Sequence, residues 1–227
     1  MIMLELDKIV QNIVILTILQ SIVYYMPNLS NYNDDIRFNF YRSIMCLVFT
    51  CMGLNILINH FNIGIFHPFS YKHNDMTEML HLFFAYLLMD LIQLIANKNT
   101  RIDLYVHHII FIGCLSCSIF TNKFGYISCI GYICEMLSIV SGVDMIAMED
   151  NDMKTSYYCK KIRKNIIKYI RIPIWISMFI FAIRFFKKID TTIKVQGIVI
   201  PLVMIYLDKY WENKCDKVIR AYEVNAV

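Results

Sequence analysis

The sequence contains few helix-breaking residues, with only seven glycines and four prolines among 227 residues. This scarcity argues against a Gly- and Pro-rich disordered chain. Charged side chains are also scarce, at 18%, whereas 58% of the residues are hydrophobic and the mean hydropathy is +0.50. A soluble domain of this length does not accommodate so much apolar surface, so the composition predicts a polytopic membrane protein.

Several motifs of membrane enzymes and metal proteins are absent from the sequence. The six histidines do not form the H-x-x-x-H and H-x-x-H-H boxes of a membrane di-iron hydroxylase or desaturase. No internal repeat is visible, which argues against a secondary transporter. Most of the eight cysteines lie in apolar runs, where cysteine behaves as a small hydrophobe. Cys114 and Cys117 form a C-x-x-C without a second pair at zinc-site spacing, so we predict no metal site.

Seven apolar runs are each close to the roughly 20 residues that a helix needs to cross a bilayer. They cover residues 9–26, 42–61, 80–96, 104–121, 124–147, 166–186 and 193–211. The sequence therefore predicts an all-α, polytopic protein with about seven transmembrane helices. The first run lacks a basic flank before it and a small-residue cleavage site after it, so we interpret it as an uncleaved anchor.

The distribution of basic residues predicts the orientation in the membrane. With seven crossings, loops 27–41, 97–103 and 148–165 share a side with the C-terminus, and this side carries about twice as many Lys and Arg residues as the other. The positive-inside rule therefore places the C-terminus in the cytosol. Because the net charge of +4 comes from these flanking clusters, it indicates topology and not a nucleic-acid partner.

Polar residues recur at helical spacing inside two of the runs. In the third run, one face carries Tyr86, Asp90, Gln93 and Asn97. In the fifth run, one face carries Ser128, Gly131, Glu135, Ser138 and Gly142. The small residues of this second stripe allow close helix approach, so we expect Glu135 to face the interior of the bundle. Asp144 leaves the stripe and is expected to be an interfacial charge.

A histidine pair begins the fourth run. His107 shares a helix face with small residues, whereas His108 points about 100° away. We therefore expect His107 to face a cavity and His108 to take part in helix packing. Asp103, one turn before His107, is expected to accept its ring N–H.

Ionisable side chains inside apolar runs are costly in hydrocarbon and usually face a bundle interior or a cavity. The runs contain Asp90, His107, His108, Glu135 and Arg171. Their number and similar depth predict a polar-lined cavity. Mutual pairing that only neutralises the charges is the alternative.

A series of positions between residues 40 and 215 forms a further pattern. It consists of Arg42-Ser43, the segment from Tyr86 to Asp90, His107-His108, Asn122, Glu135-x-x-Ser138, Arg171 and the aromatic and basic segment from Tyr206 to Trp211. In this order the positions resemble the TLC-domain family, which includes ceramide synthases and translocating-chain-associating membrane proteins. The resemblance implies an anchor and loop over residues 1–39, a TLC domain over 40–215 and a short cytosolic tail over 216–227.

The fold that the resemblance implies has six helices in a ring around a lipid-accessible cavity, with the first helix alongside. The resemblance also implies that the protein is located in the endoplasmic reticulum or a related endomembrane. In ceramide synthases the histidine pair and two downstream aspartates belong to the acyl-transfer site. By spacing from His107, those aspartates fall on Glu135 and Ser138. Glu135 thus keeps a carboxylate at the first of these positions, whereas Ser138 has no carboxylate at the second.

Three functions follow from this pattern. The first is a lipid-handling protein that holds an acyl chain or sphingoid-like lipid, with lipid-binding residues Tyr86, Asp90, Gln93, His107, Glu135, Ser138 and Arg171. The second is an N-acyltransferase with catalytic residues His107, His108 and Glu135, which needs no cofactor and takes acyl-CoA as substrate. The third is a cargo or translocation factor. A membrane lipid is the expected partner in the first two, and protein partners stay open.

The predicted topology can be tested at Asn28, which begins the only N-x-S/T motif of the sequence. We expect Asn28 to stay unglycosylated in a eukaryotic host, because its loop shares a side with the basic C-terminal tail. A gel-shift assay with glycosidase measures this, and an acceptor site introduced into the 62–79 loop is the positive control. A glycan on Asn28 would overturn the predicted orientation.

Overall fold

The computed structural model describes residues 2–64, 73–121, 125–187 and 191–225, and its regular secondary structure in these ranges is entirely helical. The described α-helices are α1 Ile2–Tyr24, α2 Asp34–Asn59, α3 Phe61–Gly64, α4 Asn74–Ala96, α5 Ile102–Thr121, α6 Gly125–Ile133, α7 Ser141–Glu149, α8 Met153–Ile166, α9 Ile172–Arg184 and α10 Thr191–Asn225. A 3₁₀ turn, Cys134–Ser138, separates α6 from α7, and a π-helical turn, Ile167–Arg171, joins α8 to α9. The prediction of an all-α fold is confirmed.

Six helical stretches are long and apolar enough to cross a membrane. They are Leu6–Tyr24, Asp34–Asn59, Asn74–Ala96, Ile102–Phe120, Cys129–Glu149 and Met153–Arg184. They coincide with the first six predicted runs, so the prediction of a multi-pass membrane protein is confirmed. The seventh run, 193–211, lies within α10, and its crossing stays a prediction.

The predicted loop at 148–165 is wrong, because most of it forms α8. Asp152 begins this helix: its carboxylate accepts hydrogen bonds from the Thr155 hydroxyl (2.5 Å) and N–H (3.0 Å). These hydrogen bonds hold the pKa of the Asp152 carboxyl below its usual range. The prediction used apolar runs, and α8 is polar on average, with only Ser156 and Cys159 buried in it.

The π-helical turn between α8 and α9 has a local cause in Pro173. A proline inside a helix removes one N–H donor and its ring crowds the carbonyl four residues earlier. The backbone widens just before this position, and the Ile172 N–H bonds to the carbonyl of Ile167, five residues back. The widening brings Arg171 to the end of the turn, where its side chain is buried.

The fifth predicted run does not form one continuous helix. It is interrupted by the 3₁₀ turn that contains Glu135, while the side chain of Ser128 lies outside the described residues, as does Asn122. Side chains from other helices bond to the backbone freed by the break: Arg171 donates to the Cys134 carbonyl, and the Ser43 hydroxyl lies 3.0 Å from the Ser138 carbonyl. Irregular backbone at membrane depth is tolerated where protein groups satisfy it in this way.

The helices pack around a core shared by most of them. Helix α2 packs on α1, α4, α6 and α7; α4 also packs on α1 and α5; α10 packs on α5, α8 and α9; and α7 packs on α8. Aromatic rings fill the centre, where Phe83 contacts Phe49 and Tyr132 at centroid distances of 4.9 and 4.8 Å. Large apolar side chains such as Ile58 and Ile102, 72% and 75% exposed, point outward, as expected for surfaces that contact lipid tails.

Helices α2 and α7 approach most closely at Gly142. A Cβ atom there would lie 2.7 Å from Phe40 Cα and 2.8 Å from Ser43 Oγ. The same glycine donates its N–H to Ser43 Oγ at 2.7 Å. This contact holds α7 against α2 and therefore fixes the end of the broken helix.

Replacing Gly142 by alanine should destabilise the protein by about 1–3 kcal/mol, because the added methyl group collides with the backbone of α2. The matched control is Gly113→Ala, where a Cβ would meet nothing within 4 Å and alanine favours the helix by up to about 1 kcal/mol. Thermal unfolding in detergent measures both. Equal melting temperatures for the two variants would contradict the close approach.

Candidate functional site

A polar cavity of about 240 Å³ lies where α2, α5, α7, α8, α10 and the two irregular turns meet. Its charged and ionisable lining consists of Arg42, Arg101, His107, Glu135, Asp144, Lys160, Arg163 and Arg171. The rest of the wall consists of the apolar and aromatic side chains of Leu104, Leu137, Met145, Met148 and Trp211 and the uncharged polar residues Asn39, Ser138 and Ser141. Basic and apolar groups thus share one small cavity.

His107 lines this cavity and is 6% exposed. Its Nε2 lies 3.7 Å from Glu135 Oε1, and among the described residues its Nδ1 has no hydrogen-bond partner. The prediction that Asp103 accepts from His107 is wrong. Asp103 instead accepts from Trp211 Nε1 at 2.7 Å and from Arg101 Nη2 at 2.5 Å, because α10 and the loop before α5 bring stronger donors to it.

His108 is directed at α4 and is 1% exposed. Its Nδ1 lies 2.7 Å from the Leu104 carbonyl, and its Nε2 lies 2.5 Å from Asp90 Oδ2. The two ring nitrogens of His108 thus face an acceptor each, the Leu104 carbonyl on α5 and the Asp90 carboxylate on α4. Arg42 Nε lies 3.2 Å from the same Asp90 oxygen. Asp90 therefore connects His108 to a residue that lines the cavity.

Glu135 is held in the 3₁₀ turn and is 5% exposed. Its Oε2 lies 3.8 Å from Cys46 Sγ, which in turn lies 3.7 Å from the Tyr86 hydroxyl. Ser138 of the same turn lines the cavity. Gln93 is directed elsewhere, with Nε2 3.4 Å from Asn97 Oδ1. The structure thus brings His107, Glu135, Ser138 and Arg171 together, connects Asp90 and Tyr86 to them through other side chains, and leaves Gln93 apart.

Arg171 is the most extensively bonded residue of the site. Its Nε donates to both carboxylate oxygens of Asp208, at 2.9 and 3.1 Å, and its Nη1 donates to the Cys134 carbonyl. Trp175 Nε1 also donates to Asp208 Oδ2, at 2.9 Å. Arg171 Nη2 is buried and has no partner among the described residues. Asp208 is a site residue that sequence reasoning missed, although an acidic residue inside the seventh apolar run signals it.

Asp144 is buried inside the protein, at 3% exposure, and its position at the membrane interface stays a prediction. It accepts from Ser156 Oγ at 2.8 Å and from Lys160, and Arg163 Nη1 lies 3.7 Å away. These three partners belong to α8. The prediction of a loop over residues 148–165 missed these three partners. Residues three and four positions apart lie on one face of a helix, but a loop has no such face.

A second group of polar residues lies at the other end of α2 and could hold a metal ion. The ligand atoms of His60, His73 and Asp75 lie within 4.8 Å of one another, and His73 Nδ1 is 3.3 Å from Asp75 Oδ2. The eighteen positions from Arg42 to His60 correspond to about 27 Å along a helix. This group is therefore separate from the cavity. The distances from Asp75 to His60 and His73 are also those of ordinary ion pairs.

Comparisons of the chain with protein-family models, with curated proteins and with solved structures each find no match. The TLC-domain resemblance therefore stays a prediction from the residues quoted above.

The buried pair of Arg171 and Asp208 should dominate the stability of this region. We expect Asp208→Ala to destabilise the protein by about 3–5 kcal/mol, because it leaves the Arg171 charge buried and unpaired. The matched control is Asp216→Ala on the same helix, which removes the partly exposed ion pair with Lys164 (2.5 Å) and should cost about 0–1 kcal/mol. Thermal unfolding in detergent compares them, and equal losses would contradict the assignment.

Proposed function

We propose that the protein binds a membrane lipid in this cavity and handles lipids as a TLC-domain-type protein of the endoplasmic reticulum or a related endomembrane. The polar head of the lipid contacts His107, Glu135, Ser138 and Arg171, and its acyl chains extend between the helices. The C-terminus faces the cytosol, so the cavity opens toward the cytosolic leaflet.

Buried polar atoms without partners are the observation that carries this proposal. Among the described residues, His107 Nδ1, Glu135 Oε1 and Arg171 Nη2 are buried without a hydrogen bond, and all three residues line the cavity. An unsatisfied buried donor or acceptor costs about 1–3 kcal/mol, so native proteins seldom leave several at one place. A ligand head group with both donors and acceptors satisfies them together.

The order of helix contacts supports the six-helix ring of the proposal. Starting from α2, neighbouring contacts run through α7, α8 with α9, α10, α5 and α4, and return to α2. Helix α1 packs on α2 and α4, in the place of a helix alongside the ring. Of the helices in this circuit, α2, α5, α7, α8 and α10 contribute described residues to the lining of the cavity.

An acyl-CoA-dependent N-acyltransferase is the second candidate, and it is favoured by the pairing of His107 with Glu135. In this reaction His107 accepts a proton from the amine as its nitrogen attacks the thioester carbonyl. The C–N bond forms, the C–S bond breaks, and the thiol leaves with the proton that His107 returns. Glu135 orients the imidazole. Ser138, in place of a second carboxylate, weighs against this candidate.

The two histidines should respond differently to truncation. His107→Ala is expected to weaken lipid retention roughly fivefold, as for one lost hydrogen bond, with little change in melting temperature. His108→Ala removes the partner of Asp90 and should lower stability by about 1–3 kcal/mol. Mass spectrometry of co-purified lipid, beside thermal unfolding, separates the effects. Unchanged lipid content in a folded His107→Ala protein would contradict the proposed site.

A turnover assay distinguishes the two candidate functions. Wild-type protein is incubated with acyl-CoA and a long-chain base, and amide formation is measured. A lipid-holding protein gives no amide, whereas an acyltransferase gives amide that His107→Ala abolishes. Amide formation that survives in His107→Ala would exclude His107 as the base.

A further inference from the structure

Arginine and lysine side chains outnumber carboxylates on the cavity wall. The lining contains Arg42, Arg101, Lys160, Arg163 and Arg171, against only two carboxylates among the described residues, Glu135 and Asp144. These cations come from α2, α8, the π-helical turn and the loop before α5. A ligand in the cavity is therefore surrounded by positive groups on several sides.

The carboxylates that hold three of these arginines belong to the surrounding core. Asp90 pairs with Arg42 at 3.2 Å, and Asp208 pairs with Arg171 at 2.9 Å. Asp103 pairs with Arg101 at 2.5 Å. None of these three carboxylates is among the described residues that line the cavity. These carboxylates therefore hold the guanidinium groups in place, while the arginines and not the carboxylates line the cavity.

Three of the arginines have a buried donor without a hydrogen bond in the described part of the chain, and in Arg42 this donor, Nε, lies 3.2 Å from the Asp90 carboxylate. Among the described residues, Arg171 Nη2 and Arg163 Nε are buried without a hydrogen-bond partner, and Arg171 is 98% buried, with 2% of its surface exposed. A guanidinium carries donors in a rigid fork that suits the oxygens of a phosphate group. Open donors on fixed arginines therefore indicate an oxyanion ligand.

The rest of the wall favours a lipid as the source of that oxyanion. Leu104, Met145 and Met148 line the cavity beside the cations, and they suit the apolar part of an amphiphile. The cavity, at about 240 Å³, is smaller than the roughly 300–1,000 Å³ pockets that enclose drug-sized ligands. It accommodates a head group, and the acyl chains must lie outside it. A free sphingoid base, which carries a cationic amine, is disfavoured by the same arginines.

We propose that the cationic wall of the cavity, with Arg101, Arg163 and Arg171 as its principal donors, binds the phosphate group of an anionic lipid head group. This inference rests on the lipid binding proposed above and specifies the chemical class of the lipid. Glu135 Oε1, the open acceptor at the same cavity, receives a hydroxyl of the head group.

The test uses full-length protein in detergent, titrated with phosphatidic acid, with phosphatidylcholine of the same acyl chains, or with inorganic phosphate, while the melting temperature is followed. The variant is Arg101→Gln with Arg163→Gln. It keeps the fold, because Asp103 retains its bond from Trp211 and Asp144 retains those from Ser156 and Lys160.

The matched control replaces Lys161 and Lys217 by glutamine. Both lysines are exposed and neither lines the cavity, so the control removes the same charge from outside the site. A further variant, Arg163→Lys, keeps the positive charge but removes the planar set of guanidinium donors.

Phosphatidic acid should raise the melting temperature saturably in wild type and in the control. In the double variant the midpoint of the titration should rise about tenfold or more, as for the loss of a charge-assisted hydrogen bond, and in Arg163→Lys by less. Phosphatidylcholine should stabilise weakly, because its head group carries no net charge.

In the titrations, three results would overturn the inference: equal stabilisation by phosphatidylcholine, full stabilisation by inorganic phosphate alone, or an equal loss in the control variant. The second would assign the site to soluble phosphate. Co-purified lipid that the double variant retains unchanged would leave lipid binding intact and reject the phosphate site. If neither the wild type nor any variant contains bound lipid, both the phosphate site and the proposed lipid binding are rejected.

Discussion

The buried ion pair between Arg171 and Asp208 is the interaction on which the site depends. One guanidinium bonds to an acid on α10 and to the carbonyl of Cys134, in the break of another span. A buried charge of this kind is costly unless it is paired and hydrogen-bonded, and Arg171 is paired through Nε and Nη1 while its Nη2 has no partner among the described residues. The requirement fixes three separate elements relative to one another, and the cavity is the space that remains between them.

The two irregular turns have complementary roles in this arrangement. Pro173 disturbs the backbone just after Arg171 and widens the helix into a π turn. The 3₁₀ turn exposes the Cys134 carbonyl, which an intact helix would have used internally. The 3₁₀ turn frees an acceptor and the π turn places a donor beside it, so a protein group satisfies the Cys134 carbonyl.

The class of fold could be predicted from the sequence because hydrophobic length is a property of single segments. The six spans and the inward position of Glu135 follow from run length and spacing. Partners from distant segments could not be predicted in this way: Asp208 and the α8 cations that surround Asp144 meet the site only through tertiary packing. The helix at α8 was missed because its residues are polar on average, so it lies outside the apolar runs from which the spans were predicted.

The direction of His107 also shows the limit of spacing arguments. One helical turn places Asp103 within reach of His107, but Trp211 and Arg101 compete for the same carboxylate. Helical spacing along the sequence shows which contacts are possible. Which of them forms is decided by donors that the rest of the fold brings to the same place.

The unbroken helical stretch Met153–Arg184 has 32 residues, about 48 Å at 1.5 Å per residue. A hydrocarbon core is only about 30 Å thick, so one end of an upright helix must extend into the head-group layer. Measured from Arg184, Arg171 lies about 20 Å along the helix and Arg163 about 31 Å. The two arginines lie eight residues apart, so the cavity wall extends over about 12 Å along this helix. If the cavity takes a lipid head group as proposed, the length of the helix brings the binding groups toward the boundary where such head groups lie.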